Sequence, residues 1–282
     1  MSTTGSQRLR RPSRFLLAAE GPRALGELVW LQAARPVLAN APRGDGHPVL
    51  VLPGLGADDR STVPMRRFLR GLGYRVHGWR LGTNVPSQEM IGRLRDRLKG
   101  LHEHDSRPLS LVGWSLGGIY AREIARARPE AVRTVVTLGS PFRPVPGYES
   151  HVAPLARSLA RSWGTDVPGT RSRGDDPPLP VPSTAVFSRT DGIVPWQACV
   201  NSGSGRHETI EVVGSHCGLG HHPAVLLVVA DRLAQPPGAW QPMQIQAPWR
   251  PFLRHHTTVD PAGRFDEAKP GAGGSRARFG RR

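Results

Sequence analysis

Lysine is almost missing from this chain: of its 38 basic side chains only Lys99 and Lys269 are lysines, and the rest are arginine. A preference that uniform along the sequence reads as a coding bias, not as a site built for phosphate. Cysteine is nearly as scarce. Cys199 and Cys217 are the only two, which excludes a disulfide scaffold and suits a reducing compartment. Two free thiols are expected, with a single bridge as the alternative because both cysteines fall near the loops discussed below. Long apolar runs are also absent. The stretches around Val49 to Leu52 and Ala224 to Ala230 fall far short of the roughly 20 residues a membrane span needs. Four arginines precede Phe15 to Ala19, and Ala39-Asn40-Ala41 resembles a small-residue cleavage site. However, Glu20, Arg23, Glu27, Gln32 and Arg35 interrupt any apolar core between them, so no signal peptide and a cytoplasmic location are expected.

What the chain has in excess is positive charge, +16 over 282 residues. Residues 1–14 contribute +4 and residues 250–282 contribute +5, leaving +7 across the 235 residues between. Basic ends on a mildly basic body argue against a nucleic-acid surface, which would gather its cations on one face. Peripheral contact with an anionic membrane stays compatible with them. The sequence sets no oligomeric state.

Glycine and proline are abundant, 33 and 28 residues, as in a fold with many turns. Residues 1–45 read as a basic arm and a docking helix over 16–38, with Leu17, Leu25, Leu28, Val29 and Leu31 as a partial apolar stripe. That helix either packs on the fold or lies on a membrane surface. Residues 46–240 alternate short apolar strands with helices. Strands are predicted at 48–52, 74–79, 108–113, 133–138, 184–188 and 208–213, and helices at 62–71, 87–101, 116–128 and 223–234. This pattern predicts an α/β fold with a mainly parallel sheet of about six strands and helices on both faces. Within residues 141–182 nine prolines break the rhythm. There Val152, Leu155, Leu159 and Trp163 recur at helical spacing, either as a lid insertion or as an ordinary outer helix. Residues 241–282, basic and without apolar periodicity beyond about 250, are expected to be a disordered tail.

The strongest chemical signal is Gly113-Trp114-Ser115-Leu116-Gly117, set between the apolar strand ending at Val112 and the helix running through Ile124. A serine on so tight a strand-to-helix turn takes an unfavourable backbone conformation, and side chains two residues before and after it would collide. Gly113 and Gly117 relieve that crowding, and Gly118 lets the helix approach the sheet. The turn presents Ser115 Oγ beside a helix N-terminus, where free amides and the dipole favour negative charge. A serine alcohol needs a base to become a nucleophile. Of eleven histidines, His216 stands best, after the apolar run 210–213 and before the last helix; His221 and His222 are rivals. The base needs a carboxylate to orient it. Asp191, after the strand 184–188, fits better than Asp58, Asp59, Asp166, Asp175 or Asp176.

The order Ser115, Asp191, His216, each after its own strand, together with the elbow, resembles the α/β-hydrolase superfamily over residues 46–235, and in particular small-sheet bacterial lipases and esterases. The resemblance implies a Ser-His-Asp triad with an acyl-enzyme. It also implies an oxyanion hole from the amides of Leu116 and Leu55, each contributing on the order of 3 kcal/mol. Pro53 stands where the superfamily often has histidine, which leaves Leu55 resting on backbone geometry alone. The sheet should begin at strand 48–52, without the early antiparallel strands of larger members. Neither metal nor organic cofactor is implied. The substrate expected is a small-molecule or lipid ester, with Trp114, Leu55, Leu116, Ile193, Trp196 and Leu219 as an apolar surround or as packing. Acyl transfer, thioester or amide cleavage, or a non-catalytic binding protein of the same fold are the alternatives.

Overall fold

A computed structural model describes residues 10–143, 145, 147–154, 157, 178–201 and 205–256. Strands β1 (Pro48–Leu52), β2 (Arg75–Gly78), β3 (Leu109–Trp114), β4 (Val132–Leu138), β5 (Ser183–Phe187), β6 (His207–Val212) and β7 (Leu253–His256) form one sheet in the order β2-β1-β3-β4-β5-β6-β7. The first six strands are parallel and β7 is antiparallel to β6. Helices α1 (Arg14–Leu38), α2 (Val63–Gly71), α3 (Gln88–Asp105), α4 (Leu116–Ala127) and α5 (Pro223–Ala234) cover both faces.

Strand alternation explains the two layers. Val49 and Val51 point to one face and join a core with α1, α2 and α5; Leu50 and Leu52 point to the other and join a core with α3 and α4. A strand covered on both sides must be apolar at every position, and all five residues of β1 are buried.

Two expectations need correction. The apolar stripe of α1 docks only at Leu31: Leu25 is 65% exposed and Val29 64%. Besides Leu31 the helix packs through Ala34 and Leu38 and through its carboxylates, described below. The tail expected from residue 241 does not begin there, because Leu253–His256 adds a seventh strand by pairing Val212 with Leu253 and Thr209 with His256. Glu208 explains why this segment is held. Its carboxylate, almost fully buried, accepts from Arg232 at 2.6 Å, His255 at 3.0 Å, the Met243 amide at 2.9 Å and Thr184 Oγ1 at 2.8 Å. Residues 257–282 lie outside the described residues, as do Leu155, Leu159 and Trp163 of the predicted lid helix.

Burial opposes ionisation of Glu208, but His255, Arg232 and the Met243 amide overcome it and hold its pKa below the usual 4.5. A depressed carboxylate contributes stability above its unfolded pKa and loses it as pH falls through the folded value. Glu208→Ala leaves Arg232 with Asp231 and the Gln241 carbonyl but orphans the buried Met243 amide and Thr184 hydroxyl, and is expected to cost about 1–3 kcal/mol for each buried orphan. Urea unfolding at pH 7 and pH 3 checks this: the gap between wild type and variant should narrow at the lower pH.

Candidate active site

The turn between β3 and α4 carries Ser115 at φ 52° and ψ −121°, a strained conformation for a residue with a Cβ. It is tolerated because its neighbours are small. A Cβ on Gly117 would sit 2.5 Å from the Pro53 carbonyl oxygen and 2.6 Å from that of Leu52, and one on Gly113 would strike Gly118. The Ser115 amide donates to the Leu138 carbonyl at 2.8 Å, fixing the turn to the end of β4. The residue is buried, 8% exposed.

Asp191 and His216 follow β5 and β6. Asp191 Oδ1 accepts the amides of Ile193 at 2.8 Å and Val194 at 2.7 Å, which aims Oδ2 at His216 Nδ1, 2.6 Å away. With Nδ1–H given to a carboxylate, Nε2 is left as the basic nitrogen. Burial alone would lower the imidazole's pKa, yet the Asp191 carboxylate and the nearby Glu20 charge outweigh it and raise the group above its usual 6.5. Two strands separate the loop of His216 from that of Ser115 in the sheet. The ring lies over Gly139, just past the end of β4, where φ is 55° and a Cβ would meet His216 Nδ1 at 3.1 Å and Cε1 at 3.2 Å. The imidazole and the Ser115 backbone therefore flank the same two residues, Leu138 and Gly139. Among the described residues Ser115 Oγ has no hydrogen-bond partner; such contacts commonly close only around substrate.

The rivals are used otherwise. His221 Nε2 bonds the Ala24 carbonyl at 2.8 Å and His222 Nε2 that of Val213 at 3.0 Å. Burial pushes His222 down to about 4. Asp58 accepts the Arg60 amide, and Asp59 those of Trp79 and Arg80. Asp166, Asp175 and Asp176 lie outside the described residues. Both cysteines are free thiols, and burial with the Glu20 charge pushes Cys217 up to about 12. Of the expected apolar surround, Leu219 is buried in the core, Trp196 stacks on Phe187 and Trp114 donates to the His216 carbonyl at 3.1 Å.

The loop after β1 lies against the elbow, since a Cβ on Gly54 would stand 3.3 Å from Ser115 Cβ. Leu55 follows within it, and among the described residues neither its amide nor that of Leu116 has an acceptor. Sequence reasoning missed what holds this loop. Asn84, fully buried, donates from Nδ2 to the Pro53 carbonyl at 2.7 Å, and its backbone exchanges bonds with Gly56 and Ala57.

It also missed the role of α1. Glu20, 4% exposed, accepts the amide of Gly192 at 2.8 Å and those of His216 at 3.1 Å and Cys217 at 2.8 Å. One carboxylate thus ties the Asp191 loop to the His216 loop. One turn along, Arg23 donates to the Thr190 carbonyl at 2.7 Å. Two turns on from Glu20, Glu27 accepts the Ser215 amide at 2.7 Å and its hydroxyl at 2.6 Å. Three of the residues that interrupt the apolar run, Glu20, Arg23 and Glu27, are the ones that dock the helix.

Among the described residues no group of His, Cys, Asp and Glu could hold a metal, and no helix is long and apolar enough to cross a membrane.

A parallel sheet in this order, with a strained serine after β3 and acidic and imidazole loops after β5 and β6, is an α/β-hydrolase fold. The solved structures it resembles include lipase B of Aspergillus fumigatus, at a TM-score of 0.54 and 19% identity, covering 68% of this chain and 54% of that one. Another is the monoacylglycerol lipase of Paleococcus ferrophilus, at a TM-score of 0.49 and 16% identity, covering 67% of this chain and 97% of that one. In sequence, the chain is 32% identical over 97 residues to a pimeloyl-[acyl-carrier protein] methyl ester esterase of Shewanella woodyi, spanning 34% of this chain and 37% of that protein. The chain thus matches little more than a third of that relative's length and about half of lipase B. No protein-family profile matches it.

Proposed function

We propose that the protein is a serine hydrolase that cleaves carboxylic esters, lipid esters among them, through an acyl-enzyme on Ser115. The observation that carries this reading is the Asp191 to His216 bond at 2.6 Å, on an imidazole that lies over Gly139, next in the chain to the Leu138 carbonyl that holds the Ser115 amide. His216 Nε2 takes the Ser115 proton as Oγ attacks the acyl carbonyl, and Asp191 stabilises the imidazolium that results. The amides of Leu55 and Leu116, free of other acceptors, receive the oxyanion. The imidazolium returns its proton to the departing alcohol. Water, deprotonated by the same histidine, then adds to the acyl carbon and releases the acid and the serine. Residues 46–240 carry all of these groups, with 1–45 supplying the helix that steadies them. An ester substrate is also in keeping with the printed names of lipase B and the methyl ester esterase reported above.

A fluorophosphonate probe is expected to label the wild-type protein at Ser115 and to leave Ser115→Ala unlabelled, read by mass spectrometry of the modified peptide. Labelling of both proteins, or of neither, would reject the assignment. A series of p-nitrophenyl esters of increasing acyl length, alongside the matching thioesters and anilides, then reports the preferred bond and chain.

A further inference from the structure

Beyond Glu27, α1 changes partners. Its turns from Leu28 to Ala39 form one wall of a groove of about 490 Å³, with α2 as the other. That volume falls within the roughly 300–1,000 Å³ typical of small-molecule sites. Its floor is apolar: Leu31, Leu38 and Leu72 are buried and Phe68 packs beside them. Around it stand Arg35 from α1, Arg43 from the connection to β1, and Arg67 from α2. No acidic residue lines the groove. Among the described residues none of these three guanidiniums has a hydrogen-bond or ion-pair partner. Arg23 on Thr190, Arg133 on Asp45 and Arg232 on Glu208 are engaged; what sets Arg35, Arg43 and Arg67 apart is that all three line one groove.

Three cations from three segments, gathered over an apolar trough, complement a molecule with an alkyl chain and one anionic head. A neutral lipid would leave the guanidinium forks unused, and a hydrophilic anion would leave the floor wet. Carboxylate and phosphate oxygens match the fork geometry of arginine. We infer that this groove binds a long-chain anionic amphiphile, its chain along Leu31, Leu38, Phe68 and Leu72 and its head among Arg35, Arg43 and Arg67. The groove shares no residue with the Ser115, Asp191 and His216 constellation, so the inference stands or falls apart from the hydrolase reading.

The test is a palmitate analogue carrying a photoreactive diazirine on its chain, bound to the full-length protein, crosslinked and mapped by peptide mass spectrometry. Crosslinks are expected in residues 28–39 and 63–72, with or without others near Ser115. The variant Arg35→Gln/Arg43→Gln/Arg67→Gln changes only exposed side chains, and its fold is checked by circular dichroism. It should bind the probe at least tenfold more weakly, whereas binding of the corresponding fatty alcohol should be weak and equal in both proteins. Crosslinks confined to the catalytic loops, or unchanged palmitate affinity in the triple variant, would overturn the proposal.

Discussion

Ser115→Ala and His216→Ala are each expected to lower kcat on a short-chain ester by up to roughly 10⁶-fold, and the double variant should be no slower than either single one. The reason is that nucleophile and base perform one step together: without the imidazole the hydroxyl keeps its proton, and without the hydroxyl the base has nothing to activate. A residual rate above that of water should persist in all three, because the Leu55 and Leu116 amides remain. The wild-type pH profile of kcat/KM supplies a second readout. Activity requires the neutral imidazole, and the pKa of His216 is raised, so the acid limb should fall at a pH above 6.5. Multiplicative losses in the double variant would show that the two residues do not act as a unit.

The second large effect is expected at Glu20, a positioning residue that touches no reacting atom. Glu20→Ala leaves the amides of Gly192, His216 and Cys217 without their acceptor. Each buried orphan costs about 1–3 kcal/mol, less whatever water recovers, so the melting temperature should drop by several degrees. Glu20→Gln separates anchoring from charge. A carbonyl in the place of Oε1 still accepts from Gly192 and His216, but the Cys217 amide loses the second oxygen and the site loses the charge, and kcat is expected to fall about 10- to 100-fold with KM nearly unchanged. The charged groups facing the imidazole are Asp191 on its own side of the sheet and Glu20 from α1. Removing the latter should move the acid limb to lower pH, a displacement that loss of stability alone would not produce. An unaltered profile and rate in Glu20→Gln would reduce the helix to packing.

These predictions differ in how far the sequence foretold them. The elbow was readable because strain, flanking glycines and an apolar strand occupy one short window, and the positions of β1 to β6 were readable from short apolar runs alternating with helical stretches. Glu20 and Glu27 carried no such signal. On a helix, charged side chains read as a solvated face, and only the loops after β5 and β6, nearly two hundred positions away, reveal them as acceptors. The same blindness hid β7: His255 and His256 look like a polar tail until their rings bond the carboxylates of Glu208 and Glu211 of β6 at 3.0 and 2.9 Å. Asn84 was likewise invisible, since a buried amide stapling a turn has no local pattern. Local sequence reports periodicity and strain, whereas pairing across the chain is left to the fold.

The separation of 172 to 197 positions between Glu20 and the amides it holds has a temporal side. During synthesis α1 leaves the ribosome long before the segments that contain residues 192 and 217, and long-range contacts of this kind form late. The acid and base loops cannot be locked until nearly the whole sheet exists. A nascent chain therefore carries the elbow serine through the 101 positions that separate Ser115 from His216 before any imidazole can be seated beside it, and competence should switch on only after β6 has joined the sheet.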